Sequence, residues 1–444
     1  MSVADLRSVL DDGRLTVKEV VEEVLARVPA IQESTNAFAH VDADGARLTA
    51  AALDQLAPQE RGPLHGVPIT IKDLFVVDGM PTRAGTRAAL PPLGGQSVLV
   101  TRLRAAGAVV IGKTNMHEVA LGLTGDNPWT GPVRNPHDPE RMAGGSSSGS
   151  AAALAAGAGL ASLGTDTAGS LRLPASFCGV VAFKPTHGLL TLQGSLPLSA
   201  NLDHAGPMAH NVADVRLLFT VLAGASPALT SGHEHARPPT LGVPARFLRG
   251  RLSSGAAEVF DALVSALRDT GARVTDVDIP GLEAAPSIQT PVGWPQAYLV
   301  HQAALKADPD SFSPQVRAAL ELGGRITAAE HLTALEDRAR LAAALASSFQ
   351  QHALDGLLLP AAPFEAPKLD TSEVVLQYGS VPFRDAVLPL LAPFSLTGLP
   401  TVSMPMGRIH NLPINVQLVG PRGADDVTLR HADWLEQRII TRGV

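Results

Sequence analysis

Apolar positions along the chain switch repeatedly between a helical and a strand period. That alternation predicts an α/β or mixed α+β architecture. Thr16 and Glu19 have the spacing of a capping box, and Val17, Val20, Val21, Val24, Leu25 and Val28 follow at helical intervals. Gly66–Lys72 (GVPITIK) alternates like a strand, with its proline near the start, where a strand tolerates one. Two stretches, Leu103–Val110 and Leu267–Val274, share a helix–Gly–strand shape and read as two ordinary αβ units, each with a glycine ending its helix. Between about 280 and 355 the pattern is mainly helical, with a second capping box at Thr327 and Glu330. Strand-like runs return at Gly356–Pro360, Thr401–Pro405 and Leu412–Val419, and a last helix starts near Asp425. The C-terminal part is therefore expected to rejoin the same sheet. No Ser/Gly-rich linker divides the chain, so one large domain over 1–444 with a helical insertion is expected.

Composition narrows the function classes. Charged residues are 17% and hydrophobic residues 45% of the 444 positions, enough for a large core. Lys and Arg total 35 against 42 Asp and Glu, and the net charge of −7 argues against broad binding of nucleic acid or anionic lipid. The single cysteine, Cys178, excludes an intrachain disulfide and a cysteine-based zinc site, and it fits a reducing compartment. The start MSVADLRSVLDDGRL has no basic-then-apolar signal pattern, and Ala151–Gly164 is too short to span a bilayer. A cytoplasmic location is expected.

Several motifs match a chemical pattern without its context. Gly107–Thr114 satisfies the phosphate-loop expression, but the four intervening residues, Ala108–Ile111, read as β-formers, so a strand occupies the place of the loop. Gly145-Ser-Ser-Ser-Gly149 satisfies the nucleophile-elbow expression, but a polar, proline-broken stretch over 133–143 precedes it instead of a strand. His117-Glu118 lacks the second histidine of a zinc helix, and His233-Glu-His235 sits in a Pro/Gly/Ser-rich stretch and reads as a loop. No metal and no cofactor is called for.

The segment Gly144–Lys184, GGSSSGSAAALAAGAGLASLGTDTAGSLRLPASFCGVVAFK, has another character. A Ser/Gly turn opens a small-residue helix, and a strand-like Ala161–Gly164 then reaches Thr165–Ser170, where successive amides near a glycine can form an anion-binding nest. Lys72 stands in an apolar run, and a lysine drawn out of water can become a neutral base. Together with LHGVPITIKD, GKTNMHE, RNPHDPERMAGGSS and LPINVQLVG, these residues resemble the amidase signature family of serine hydrolases over nearly the whole chain.

The resemblance implies a mixed, mostly parallel sheet of about eleven strands surrounded by helices, with the signature core over 60–210. It implies a Ser–cis-Ser–Lys triad: Ser170 as nucleophile, Ser146 on a cis peptide as bridge, and Lys72 as base. Its oxyanion hole corresponds to the backbone amides of Thr167, Ala168, Gly169 and Ser170. Ser147, Arg172 and Asp166 match supporting positions, and segments near Val119, Ala120 and Gly122, with the helical region 280–355, are expected to wall the substrate pocket. Ala168 and Ser148 stand where the family often has glycine, which bears on substrate breadth. The implied activity is cofactor-free hydrolysis of a small or medium carboxylic amide through an acyl-enzyme, with no direct nucleic-acid or membrane partner. The alternative is a glutaminase (A-type) subunit of a glutamyl/aspartyl-tRNA amidotransferase. A homodimer is an open option.

Overall fold

A computed structural model describes residues 1–224 and 237–441. The His233–His235 stretch lies outside them. Among the described residues one sheet has eleven strands: β1 Phe38–Val41, β2 Pro68–Lys72, β3 Val109–Thr114, β4 Ala161–Asp166, β5 Val181–Lys184, β6 His204–Ala209, β7 Thr240–Val243, β8 Arg273–Asp276, β9 Gly356–Pro360, β10 Thr401–Ile409 and β11 Leu412–Val419. They lie in the order β1-β3-β2-β4-β6-β5-β10-β11-β9-β7-β8. The C-terminal strands thus complete the sheet begun by the N-terminal ones.

The sheet is mixed, as expected, but its parallel pairs are confined to two groups. β3–β2–β4 and β9–β7–β8 are parallel. The centre and β1 pair antiparallel. The physical reason is the connections: β10 and β11 are joined by a tight hairpin through His410 and Asn411, which only antiparallel neighbours allow.

Every residue of β2, β3 and β11 is buried. The alternation in Pro68-Ile-Thr-Ile-Lys72 therefore does not separate core from solvent. It sends Ile69 and Ile71 to one buried face and Thr70 and Lys72 to the other. Buried polar groups of this kind are the informative ones. Val109–Thr114 is a strand, so the phosphate-loop expression there is indeed β3.

Both capping boxes form, opening the helices Val17–Thr35 and Ala328–Gln351. Both predicted αβ units are present, as Val98–Ala105 before β3 and Ser254–Arg268 before β8. The region after β8 folds into the helices Ala285–Ala307, Pro314–Gly323 and Ala328–Gln351. No described helix is long and apolar enough to cross a membrane.

Candidate active site

Parallel pairing of β2 with β4 brings the C-terminal ends of both strands to the same edge, with Ile71 opposite Leu163. Lys72 and Thr165 are therefore neighbours, and the Ser/Gly turn before the helix Ser148–Ala155 completes their surroundings. That helix comes close because its residues are small: a Cβ on Gly149 would lie 2.3 Å from the Ala37 carbonyl oxygen. The turn is fed by a hairpin, Arg134–Asn135 with Asp138–Met142, that is separate from the main sheet. The nucleophile-elbow context is absent.

The Lys72 side chain is fully buried. Its Nζ lies 2.8 Å from Ser146 Oγ, 2.9 Å from Ser147 Oγ and 2.8 Å from Thr165 Oγ1. The Gly145–Ser146 peptide is cis. Among the described residues no carboxylate touches the amine. Burial lowers its pKa to about 7, against the upward pull of Asp166 and Asp203 at longer range.

Ser147 is fully engaged. Its hydroxyl donates to Thr165 O at 3.0 Å and accepts from Thr165 N at 3.3 Å, besides the contact with Lys72. Its amide donates to Ser170 O at 3.2 Å, tying the Ser/Gly turn to the segment after β4. Ser148 Oγ is buried without a partner among the described residues.

Asp166, at the end of β4, organises the turn that carries Ser170. Its carboxylate accepts from Gly169 N at 2.7 Å and Leu171 N at 3.3 Å. It also accepts from Ser395 Oγ at 2.8 Å, and from Arg172 Nε and Nη2 at 3.0 and 3.1 Å. Burial acts to raise the pKa of this carboxyl, but the charge and bidentate bonds of Arg172, with Lys184 and His204, hold it below the usual carboxylate range. Arg172 is itself fully buried and also donates to Gln417 Oε1 at 2.9 Å and Leu391 O at 3.0 Å. A surface ion pair is thereby excluded for Arg172.

The same geometry corrects one expectation. The Gly169 amide is spent on Asp166 and is not free to meet an oxyanion. The amides of Thr167, Ala168 and Ser170 have no partner among the described residues. Gly169 has φ +113°, and a Cβ there would meet Leu391 Cδ1 at 2.5 Å, so the turn needs a glycine for conformation and space.

Ser170, Thr167 and Ala168 line a cavity of about 610 Å³. The loop His117–Thr124 and the helices Ala285–Ala307 and Pro314–Gly323 wall it, and the helix Phe383–Leu396 closes another side. Ala120 and Gly122 line it. Val119 does not: it is buried in the core, and its amide donates to Ala84 O at 2.9 Å. Val119 and Ala120 have φ of +43° and +62°, an uncommon conformation for residues with side chains. Glu118 anchors this turn through Thr86 Oγ1 at 2.7 Å, Trp129 Nε1 at 2.8 Å and Ser313 N at 3.1 Å.

His117, Gln289, Trp294 and Arg384 are among the lining residues that sequence reading did not name individually, although Gln289 and Trp294 fall in the helical region 280–355 expected to wall the pocket. His117 drew notice only as half of an absent zinc motif. Burial and the nearby Lys72 lower its pKa to about 4, so it faces the cavity as a neutral imidazole. The other three lie on helices whose sequences carry no chemical pattern. Cys178 is buried, and burial pushes its thiol pKa up, as befits a small apolar core residue.

A family model for amidases matches residues 19–429. The chain belongs to the amidase family. It is a hydrolase acting on carbon–nitrogen bonds, as members of that family are. It is 34% identical to the A-type subunit of the glutamyl-tRNA(Gln) amidotransferase from Symbiobacterium thermophilum, over 99% of this chain and 96% of that one. It is 35% identical to AtzE, the 1-carboxybiuret hydrolase subunit from a Pseudomonas species, over 100% and 99%. Among solved structures, a crystal structure of an amidase superposes with a TM-score of 0.94 at 46% identity, covering 99% of this chain and 100% of that one. A peptide amidase from Stenotrophomonas maltophilia superposes with a TM-score of 0.83 at 28% identity, covering 99% and 97%.

Proposed function

We propose that this chain hydrolyses a carboxylic amide through an acyl-enzyme on Ser170, with Ser146 as relay and Lys72 as base. The observation that carries this reading is a fully buried lysine whose side-chain partners among the described residues are hydroxyls only, with its pKa brought to about 7. Ser147 Oγ–H is committed to Thr165 O, so Ser147 can only accept from Lys72. A neutral amine has two N–H donors and one lone pair, which can then accept the Ser146 hydroxyl proton.

The steps follow from those donors. The Ser170 proton moves to Ser146 Oγ, whose own proton passes to Lys72, while Ser170 Oγ bonds to the carbonyl carbon. The oxyanion meets the free amides of Thr167, Ala168 and Ser170, each contributing roughly 3 kcal/mol. Collapse breaks the C–N bond, and the relay returns the proton to the leaving amine. Water then attacks the acyl-enzyme with the same relay as base, and the carboxylic acid leaves. Asp166 and Arg172 keep the turn in register without touching the reacting atoms. The protein works in the cytoplasm on a small-molecule amide.

The second reading, a glutaminase subunit that works with a partner, is supported by the name of the Symbiobacterium relative. A free amino acid, however, brings an ammonium as well as a carboxylate. No Asp or Glu is among the described residues that line the cavity.

The test is a panel of amides, with glutamine included, and direct assay of ammonia or acid release from the purified chain. Covalent labelling with a fluorophosphonate should map to Ser170, and Ser170→Ala should abolish both labelling and turnover while the fold persists. Labelling at Ser147 would sink the assignment. Glutaminase activity that appears only beside a partner, with silence on simple amides, would favour the second reading.

A further inference from the structure

The active-site cavity combines buried hydroxyls, apolar side chains and an exposed cation. Ser170 and Thr167 are buried in its wall, and Leu198, Leu202, Leu388, Ala318 and Ala319 also line it. Arg384 is exposed, and it is the one charged side chain among the described residues that line the cavity.

Three observations set Arg384 apart from an ordinary surface arginine. It makes no ion pair among the described residues; Asp385, next in the chain, is the carboxylate whose field reaches it. It lies in the first turn of the 14-residue helix Phe383–Leu396, where the helix dipole disfavours a cation and favours an anion. Its guanidinium carbon lies 5.4 Å from the ring centroid of Trp294, another lining residue. An arginine over an aromatic face is steadied there while its N–H edge stays available for a bidentate partner. The hydroxyl residues Thr371 and Ser372 also line the cavity, and the Phe383 amide, next to Arg384, donates to Ser372 O at 2.9 Å.

We propose that the site takes amides bearing a carboxylate at the end remote from the scissile bond, joined to it by an uncharged apolar segment, and that Arg384 binds this carboxylate. The inference rests on the hydrolase reading above and names its substrate class: monoamides of dicarboxylic acids rather than free amino acids. An ammonium would find no carboxylate among the described residues that line the cavity.

The test compares three primary monoamides of matched length ending in carboxylate, methyl or ammonium, with ammonia release followed on the full-length protein. kcat/KM should fall in that order, carboxylate exceeding methyl by about tenfold, through KM, with the gap narrowing at high salt. Arg384→Gln should bring the carboxylate-to-methyl ratio to about one, and Arg384→Glu should place ammonium above carboxylate. A ratio is the readout because a poorly folded variant lowers all three rates together and leaves it unmoved. Equal rates for the carboxylate and methyl amides, or a preference that survives Arg384→Gln, would overturn the Arg384 assignment and leave the hydrolase reading standing. Ammonia release from none of the three overturns this inference, and an unlabelled Ser170 in the same preparation overturns the hydrolase reading with it.

Discussion

β2 and β3 run parallel and side by side, and each carries a fully buried lysine near its C-terminal end, Lys72 and Lys113. Their surroundings differ in one respect. Lys113 Nζ lies 2.8 Å from the Asp73 carboxylate, 2.7 Å from Thr82 Oγ1 and within 3.2 Å of the Pro81 and Asp73 carbonyls. Lys72 has three hydroxyls and, among the described residues, no carboxylate. Burial lowers the pKa of both, but at Lys113 a touching countercharge pulls it back. Burial alone therefore does not decide what a lysine does. A paired lysine is a fastener, and one surrounded by hydroxyls is able to give up its proton near neutrality.

The largest effect that separates the two sites is on catalysis. Lys72→Ala should lower kcat/KM by about a thousandfold or more, as loss of a nucleophile's activating group does. Lys72→Arg should not restore it, because guanidinium keeps its proton. Near-native turnover in the arginine variant would reduce Lys72 to a mere positive charge and erase the contrast.

The mirror experiment is structural. Lys113→Met leaves Asp73 buried and unpaired, and should cost about 3–5 kcal/mol in chemical denaturation, with kcat of the folded fraction far less affected than in Lys72→Ala. A kcat loss equal to that of Lys72→Ala would break the comparison from the other side.

The pH profile sharpens it. In the proposed mechanism the base is the neutral amine of Lys72, so activity should be low below a midpoint near 7, rise through it and level off on the alkaline side. Asp203 is one of the carboxylates that raise the pKa of Lys72, so Asp203→Asn should move that midpoint to lower pH. A shift to higher pH would show that the ionising group is another one. The smallest effect expected is for Thr165→Val, which keeps the shape and removes one hydroxyl partner of Lys72. It should cost about 1 kcal/mol, a few-fold in kcat/KM.

Much of this molecule is legible in local sequence. Periodicity and capping chemistry act over a few residues, so the two capping boxes, the β2 and β3 strands and the return of strands at Gly356, Thr401 and Leu412 could be read directly. The same locality let the β-forming residues within Gly107–Thr114 dismiss a phosphate loop. The density of short motifs pointed to the family and to Lys72, Ser146, Ser147, Asp166, Ser170 and Arg172, which the fold brings to one edge of the sheet.

Other features were decided in three dimensions. Nothing near Lys113 in sequence announces that Asp73, forty positions earlier, will neutralise it. Nothing within Gly169-Ser170 says that the glycine amide will be consumed by Asp166 while its neighbours stay free. Val119 turned into the core although Ala120 beside it faces the cavity, because two successive residues with positive φ redirect the chain. His117, Trp294 and Arg384 share one cavity across more than two hundred and fifty positions. By itself, the sequence determined several of the strands, the capped helix starts and the residue types capable of the chemistry, because those follow from the spacing and turn preferences of near neighbours. Which lysine is paired, which amides are free and which side chains wall the substrate were left to the tertiary structure, because burial and charge depend on what packs against a group from distant parts of the chain.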